Sequence, residues 1–225
     1  MKFRLLDLFG GGGGCAKGYM DAGFLVVSVD IVPQPRNPAH RFVQADALEF
    51  LREHGHRFDA IHASPPCQGY TRARKLAEAQ GKADKSPRLV EPIRQLLIAT
   101  GKPYVIENVP GAPLRDAVTL CGSMFGLRVR RHRLFESSVM LAAPSNCRHK
   151  EQGRPVGVYH RLNDSIPGGG RTAATMEEAM EAMGIGWKMR VKDIFEAIPP
   201  AYARCIGEQL ISYLERTATM SAEAA

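Results

Sequence analysis

Short apolar runs separated by amphipathic stretches set the pattern of this chain. The runs 3–9, 25–31, 41–44, 58–63 and 104–109 are short, bounded by turn residues and rich in Val, Ile, Leu and Phe, which reads as buried strands. Apolar residues recur at helical spacing over 15–22, 46–54, 87–100 and 200–216. A further helix is read at 175–183, where Met176, Met180 and Met183 share one face and serve packing. Strands alternating with helices predict an α/β fold with a doubly wound, mostly parallel sheet. A chain of 225 residues can build one such domain with an adequate core. That domain is expected over 1–216, with 217–225 as a flexible tail.

No run is long and apolar enough to cross a membrane, and no signal-peptide pattern is seen. Five cysteines without regular spacing predict reduced thiols, not a disulfide framework, and so a soluble cytoplasmic protein. The formal charge of +7 is uneven. Arg72, Arg74, Lys75, Lys82, Lys85 and Arg88 face only Glu78 and Asp84 in one stretch, and Arg128, Arg130, Arg131 and Arg133 form a second cluster. Such clusters suit nucleic acid or a phosphorylated nucleotide, while the first also reads as a solvated charged helix.

Chemistry concentrates where strands end. Ser64-Pro65-Pro66-Cys67-Gln68-Gly69 follows the fourth strand, so a stiff turn holds a thiol at the carboxyl edge of the sheet, where ligands of open α/β sheets sit. Cys67 is there either a nucleophile or a buried inert thiol. Five consecutive glycines, Gly10 to Gly14, follow the first strand. Ordering each costs about 0.5–1 kcal/mol more than ordering Ala, which points to close approach of a ligand or to positive φ. No Gly-Lys-Ser/Thr follows, which argues against a P-loop. Asp30 ends the second strand, where a carboxylate takes the ribose hydroxyls of an adenosine or caps a turn. Glu107 ends the fifth strand, as a proton donor with a pKa raised by burial or as a salt-bridged structural acid. Cys147-Arg148-His149 with His160 offers metal-ligand types, but paired Cys-x-x-Cys spacing is absent and no metal is expected. Trp187 reads as a core or edge residue, with stacking on a base as the alternative, and Gly168-Gly169-Gly170 as a mobile loop.

Together these segments resemble the cytosine-C5 methyltransferases that use S-adenosylmethionine. Asp7-Leu8-Phe9 with Gly11, Gly13 and Gly14 resembles the first cofactor motif, Asp30 the ribose-binding acid, and Asp46 the residue that meets the adenine amine. Ser64-Pro65-Pro66-Cys67-Gln68 resembles the nucleophile motif, Glu107-Asn108-Val109 the proton-donor motif, and Arg131-His132-Arg133-Leu134-Phe135 the arginine motif. Ile198-Pro199-Pro200 resembles the closing motif. The likeness is spread over 5–210 in the family's order.

The resemblance implies a Rossmann-like methyltransferase sheet with an antiparallel strand near 133–140. It also implies an S-adenosylmethionine site at Phe9, Gly11, Gly13, Gly14, Asp30, Ile31, Asp46, Ala47 and Pro65, and catalysis by Cys67, Glu107, Arg131 and Arg133. Val129 stands where the family has glutamine, and Phe195-Glu196 where it has Gly-Asn. Only 136–192 is available for a target-recognition domain, so a short cap is expected there. The implied partner is cytosine in DNA, or alternatively a free cytosine nucleotide such as dCMP or CMP. The exocyclic-amine methyltransferases share Pro-Pro but carry an aromatic where Cys67 stands. A non-catalytic nucleic-acid-binding relic would not need the thiol, the acid and the cofactor loop together.

Overall fold

The computed structural model describes residues 2–71, 80, 86–159, 161–166 and 170–223. Arg72, Arg74, Lys75, Glu78, Lys82, Asp84, Lys85, His160, Gly168 and Gly169 lie outside the described residues. No described helix is long and apolar enough to cross a membrane.

Seven strands form one sheet: β1 (Arg4–Leu8), β2 (Leu25–Asp30), β3 (Arg41–Gln44), β4 (Ala60–Ala63), β5 (Tyr104–Asn108), β6 (Val118–Leu120) and β7 (Arg133–Ser137). Their order is β3-β2-β1-β4-β5-β7-β6. The first five are parallel, and β7 runs antiparallel to both β5 and β6. Successive residues point to opposite faces, so each central strand feeds two cores. Leu5, Val26, Ala60 and Val105 pack on α1 (Gly14–Ala22) and α6 (Pro200–Glu223) with Tyr19, Tyr202, Ile206 and Leu210. Leu6, Leu8, Ile61 and Ile106 pack on α2 (Ala47–His54) and α3 (Val90–Ala99) with Leu51, Ile93 and Leu97. The fold is thus a doubly wound, Rossmann-like α/β sheet. Strand order reverses between β1 and β4, which opens a crevice at their carboxyl ends.

The segment 136–192 starts on β7 and then leaves the main sheet. It builds a small sheet from β8 (Val156–Gly157), β9 (Ser165–Ile166) and β10 (Gly170–Thr172), followed by α4 (Met176–Met183), which Thr175 caps. Val156, Val158, Ala179, Ala182, Met183 and Ile185 form its own apolar cluster, joined by Met189 and Ile194. Strands of two or three residues are too short to leave a periodic signal, and neither they, β6 nor α5 (Val191–Glu196) is legible in the sequence. The last helix does not stop at 216. It continues to Glu223, because Thr217-Ala218-Thr219-Met220-Ser221-Ala222-Glu223 contains no Gly or Pro to end it.

Arg94 and Glu136, both almost fully buried, fasten α3 to β7 through two parallel contacts of 2.7 Å. The same carboxylate accepts the Arg115 amide at 2.8 Å. This fixes β7 beside β5 and so sets where Arg133 can reach.

Candidate active site

Beyond β4 the chain turns through Ser64-Pro65-Pro66 and presents Cys67, which starts a 3₁₀ turn over Gln68–Tyr70. Two clamps hold this turn. Asn108, at the end of β5, donates its side-chain amide to the Pro65 carbonyl at 2.8 Å while its oxygen accepts the Val109 amide. Tyr70, on the other side, accepts the Val90 amide through its hydroxyl at 3.2 Å. Cys67 is half-buried, and burial pushes its thiol above the usual range. Arg133 opposes that shift, Glu107 adds to it and Arg131 opposes it more weakly.

Glu107 is 4% exposed. Its Oε1 lies 3.2 Å from Arg133 Nε, an ion pair without hydrogen-bond alignment, and that oxygen has no hydrogen-bond partner. Burial raises its pKa; Arg133, the Ser64 hydroxyl and Arg131 pull the other way. Ser64 Oγ in turn lies 2.8 Å from His62 Nε2, and His62 Nδ1 lies 2.9 Å from the Tyr19 hydroxyl. Burial holds His62 neutral by dropping its pKa to about 3. A neutral imidazole has one donor and one acceptor. If Ser64 donates to Glu107, the chain orders as Tyr19 to His62 to Ser64 to Glu107. Tyr19 and His62 sit on α1 and β4, far apart in sequence, and no local signal marks them.

The two arginines do different things. Arg133 faces Glu107. Arg131 sits at φ +26° and is buried, donating to the carbonyls of Val158 at 3.1 Å and Phe195 at 2.6 Å. Its Nε is buried without a partner, and burial with repulsion from Arg133 lowers its pKa to about 9. The Tyr202 hydroxyl donates to the Arg131 carbonyl at 2.9 Å. Arg131 thus ties the sheet to the cap and to the segment before α6, a use of its guanidinium that the motif alone does not indicate.

At the other end of the crevice, Gly11 and Gly13 take φ +47° and +86°, and Gly13 caps α1. Phe9 also has positive φ, at +59°. Asp30 accepts the Gly11 amide at 2.9 Å through one oxygen and the Val32 amide at 2.9 Å through the other. A Cβ on Gly11 would meet nothing within 4 Å, whereas one on Gly12 would lie 2.6 Å from Met189 Cε. The Trp187 indole donates to the Gly12 carbonyl at 3.2 Å, so the cap rests on the glycine loop. Ile31 is exposed, Ala47 buried, and Pro65 lies in the clamped turn. Asp46 caps α2, its Oδ1 accepting the Leu48 and Glu49 amides at 2.9 and 3.0 Å. Below the loop, buried Asp7 accepts the Ser28 hydroxyl at 3.0 Å, and burial pushes its pKa up to about 7.

Cys121 and His132 join Cys147 and His149, so four metal-ligating side chains of two kinds meet without any Cys-x-x-Cys pair. The expectation of no metal centre rested on local spacing, which does not reveal that these four side chains meet.

No family model matches the chain. Over 122 residues it is 31% identical to the Type II methyltransferase M1.HphI of Haemophilus parahaemolyticus, covering 48% of this chain and 33% of that protein. The chain thus matches about a third of that relative's length. Methyltransferase EhMeth of Entamoeba histolytica superposes over 95% of this chain and 99% of its own, with a TM-score of 0.60 at 12% identity. The Dnmt2 methyltransferase of S. pombe superposes over 96% and 99%, with a TM-score of 0.59 at 14% identity. The chain has a methyltransferase fold. Within that methyltransferase fold, Cys67 and Glu107 follow from the ends of adjacent parallel strands, and Arg133 reaches them from the antiparallel strand beside β5.

Proposed function

We propose that this chain is an S-adenosylmethionine-dependent methyltransferase that modifies C5 of cytosine in DNA, with Cys67 as covalent nucleophile. One observation carries the reading. A half-buried thiol at the edge of β4 shares a site with a buried carboxyl whose Oε1 lacks a hydrogen-bond partner and faces one arginine.

The residues fit the cofactor. Open space over Gly11, positive φ in the loop and the Asp30 carboxylate come together at the strand reversal. Each carboxylate oxygen of Asp30 accepts one amide, which leaves acceptor capacity for ribose hydroxyls. Ile31 is exposed and would serve to cover an adenine, and Asp46 Oδ2 is not used in capping. Phe9, Gly13, Gly14, Ala47 and Pro65 complete the set assigned to it. When bound, S-adenosylmethionine supplies an electrophilic methyl group.

Cytosine C5 is a poor nucleophile until C6 carries an electron-rich substituent. Cys67 adds as thiolate to C6, forming an S–C bond and placing the electron pair on C5. Glu107 gives or shares a proton at N3, which relieves the charge that addition creates. After C5 has gained its methyl group, Glu107 takes back the N3 proton, water takes the C5 proton, and Cys67 leaves as thiolate as the C5–C6 double bond re-forms. Arg133 favours the thiolate, whereas ionised Glu107 disfavours it. Contact of a protonated Glu107 with N3 therefore also eases ionisation of Cys67. Arg131 fixes the cap through the Val158 and Phe195 carbonyls and so positions the segment that carries Arg133.

DNA is favoured by the +7 charge and by exposed Arg130, next in sequence to Arg131. The cap is small, so sequence preference should be relaxed, since base contacts and not phosphate contacts specify. Labelled methyl transfer to double- and single-stranded DNA, RNA, dCMP and CMP tests this. Incorporation into DNA that falls steeply with salt and disappears in Cys67→Ala is expected. Robust transfer to dCMP or CMP with none to DNA would move the substrate to a free nucleotide.

A further inference from the structure

We propose that Cys121, His132, Cys147 and His149 form a closed, structural zinc site that fixes the arginine-bearing segment of the active site. Each residue offers one ligand atom, and all four atoms lie within 4.8 Å of one another. Cys121 Sγ is 3.2 Å from His149 Nε2, and Cys147 Sγ is 3.4 Å from His132 Nε2. With Zn–S near 2.3 Å and Zn–N near 2.0–2.1 Å, a tetrahedral site spaces S and N by about 3.6 Å. The cluster is therefore close to the size that zinc requires. The two imidazoles meet edge to face, centroids 5.2 Å apart at 81°, as two ligands of one tetrahedron can. Two thiolates and two neutral imidazoles in such a geometry select zinc, and four protein ligands leave no open position for catalysis.

Two further observations point the same way. Ser123 Oγ accepts the Arg148 amide at 3.0 Å and stands 3.2 Å from Cys121 Sγ, so its O–H is left to donate to the sulfur. Hydrogen bonds of that kind orient metal ligands from outside the coordination sphere. The stretch 138–155 holds no helix or strand, and connections of that length without structure are uncommon in compact domains. Cys147 and His149 lie within it, and a metal bond would staple it to the main sheet.

The location gives the site its consequence. His132 lies between Arg131 and Arg133, and Cys121 follows β6 directly. A ligand bond at His132 restrains the backbone that holds Arg131 at φ +26° and aims Arg133 at Glu107. The metal site stands whatever the reaction is; only its effect on turnover rests on the function proposed above.

Metal analysis of the full chain, purified without chelator, should find stoichiometric zinc. Cobalt exchanged for it should show the visible spectrum of a tetrahedral thiolate site. Cys147→Ser and His149→Gln should each lower metal affinity at least tenfold while far-UV circular dichroism stays native, because both lie outside the main sheet. Chelation should lower Tm and expose Cys121 and Cys147 to thiol reagents. Absence of bound zinc together with no cobalt spectrum in the reduced protein would overturn the proposal. So would unchanged metal content in a folded Cys147→Ser, or a native Cys121–Cys147 disulfide.

Discussion

Arg133 Nε stands 3.2 Å from Glu107 Oε1, and the two side chains come from antiparallel neighbours, β7 and β5. The contact is an ion pair whose geometry falls outside hydrogen bonding, so the oxygen nearest the arginine keeps its acceptor capacity. A ligand amine or ring nitrogen entering the site can take that capacity without first breaking a hydrogen bond.

Replacing Glu107 by Gln should therefore act on turnover. The amide can still donate and accept, but it cannot give up a proton near neutral pH. General acids contribute about 10²–10⁴-fold, and a loss of kcat in that range is expected with cofactor affinity changed little. Steady-state kinetics paired with calorimetry of S-adenosylmethionine binding separates the two; a fall in binding alone would make Glu107 structural.

The pH profile carries a signed expectation. Arg133 lowers the pKa of both Cys67 and Glu107, against burial, which raises both. Removing its charge in Arg133→Gln should raise both values. Residual kcat/KM should then show both limbs displaced toward alkaline pH. Unmoved limbs would mean that neither group reports on the reaction.

Asp7 links stability to pH. Its folded pKa is about 7, against 3.8 for a free aspartate, so the native state binds more protons between these values. Stability from this group is full below about pH 4 and is lost as pH rises through about 7. The ceiling is about 4 kcal/mol, from about 1.4 kcal/mol per pKa unit. Asp7→Asn should flatten the pH dependence across that window relative to wild type, as read by denaturant unfolding at fixed ionic strength. An identical slope in the two proteins would refute the raised pKa.

Asp30 holds the glycine loop through the Gly11 amide. Asp30→Ala should raise KM for S-adenosylmethionine by about tenfold or more, the scale of losing one or two charge-assisted hydrogen bonds. kcat at saturation should change much less, and an effect confined to kcat would contradict that role.

The central sheet was readable because its parallel strands are buried on both faces and so appear as continuous apolar runs, as in 58–63 and 104–109. The thiol was readable because it lies just beyond such a run, and the acid because it sits near the end of one. The Tyr19–His62–Ser64 chain was not, since its members meet only when α1 packs on β4. Cys121 and His132 are brought to Cys147 and His149 by the β6–β7 pairing and the following excursion, a convergence no local spacing encodes. Arg131 and Arg133 read as equivalent partners, yet one residue between them and a positive φ send their guanidinium groups to different neighbours.

Intact-mass analysis with DNA carrying 5-fluorocytosine and S-adenosylmethionine tests covalent catalysis by Cys67 most directly. Fluorine at C5 blocks the final proton loss, so the S–C6 bond should persist. A stable protein–DNA adduct of the methylated base is expected, mapped by peptide analysis to Cys67 and absent in Cys67→Ala. Methyl transfer to unmodified DNA with no adduct on the fluorinated substrate, or an adduct that survives in Cys67→Ala, would contradict it.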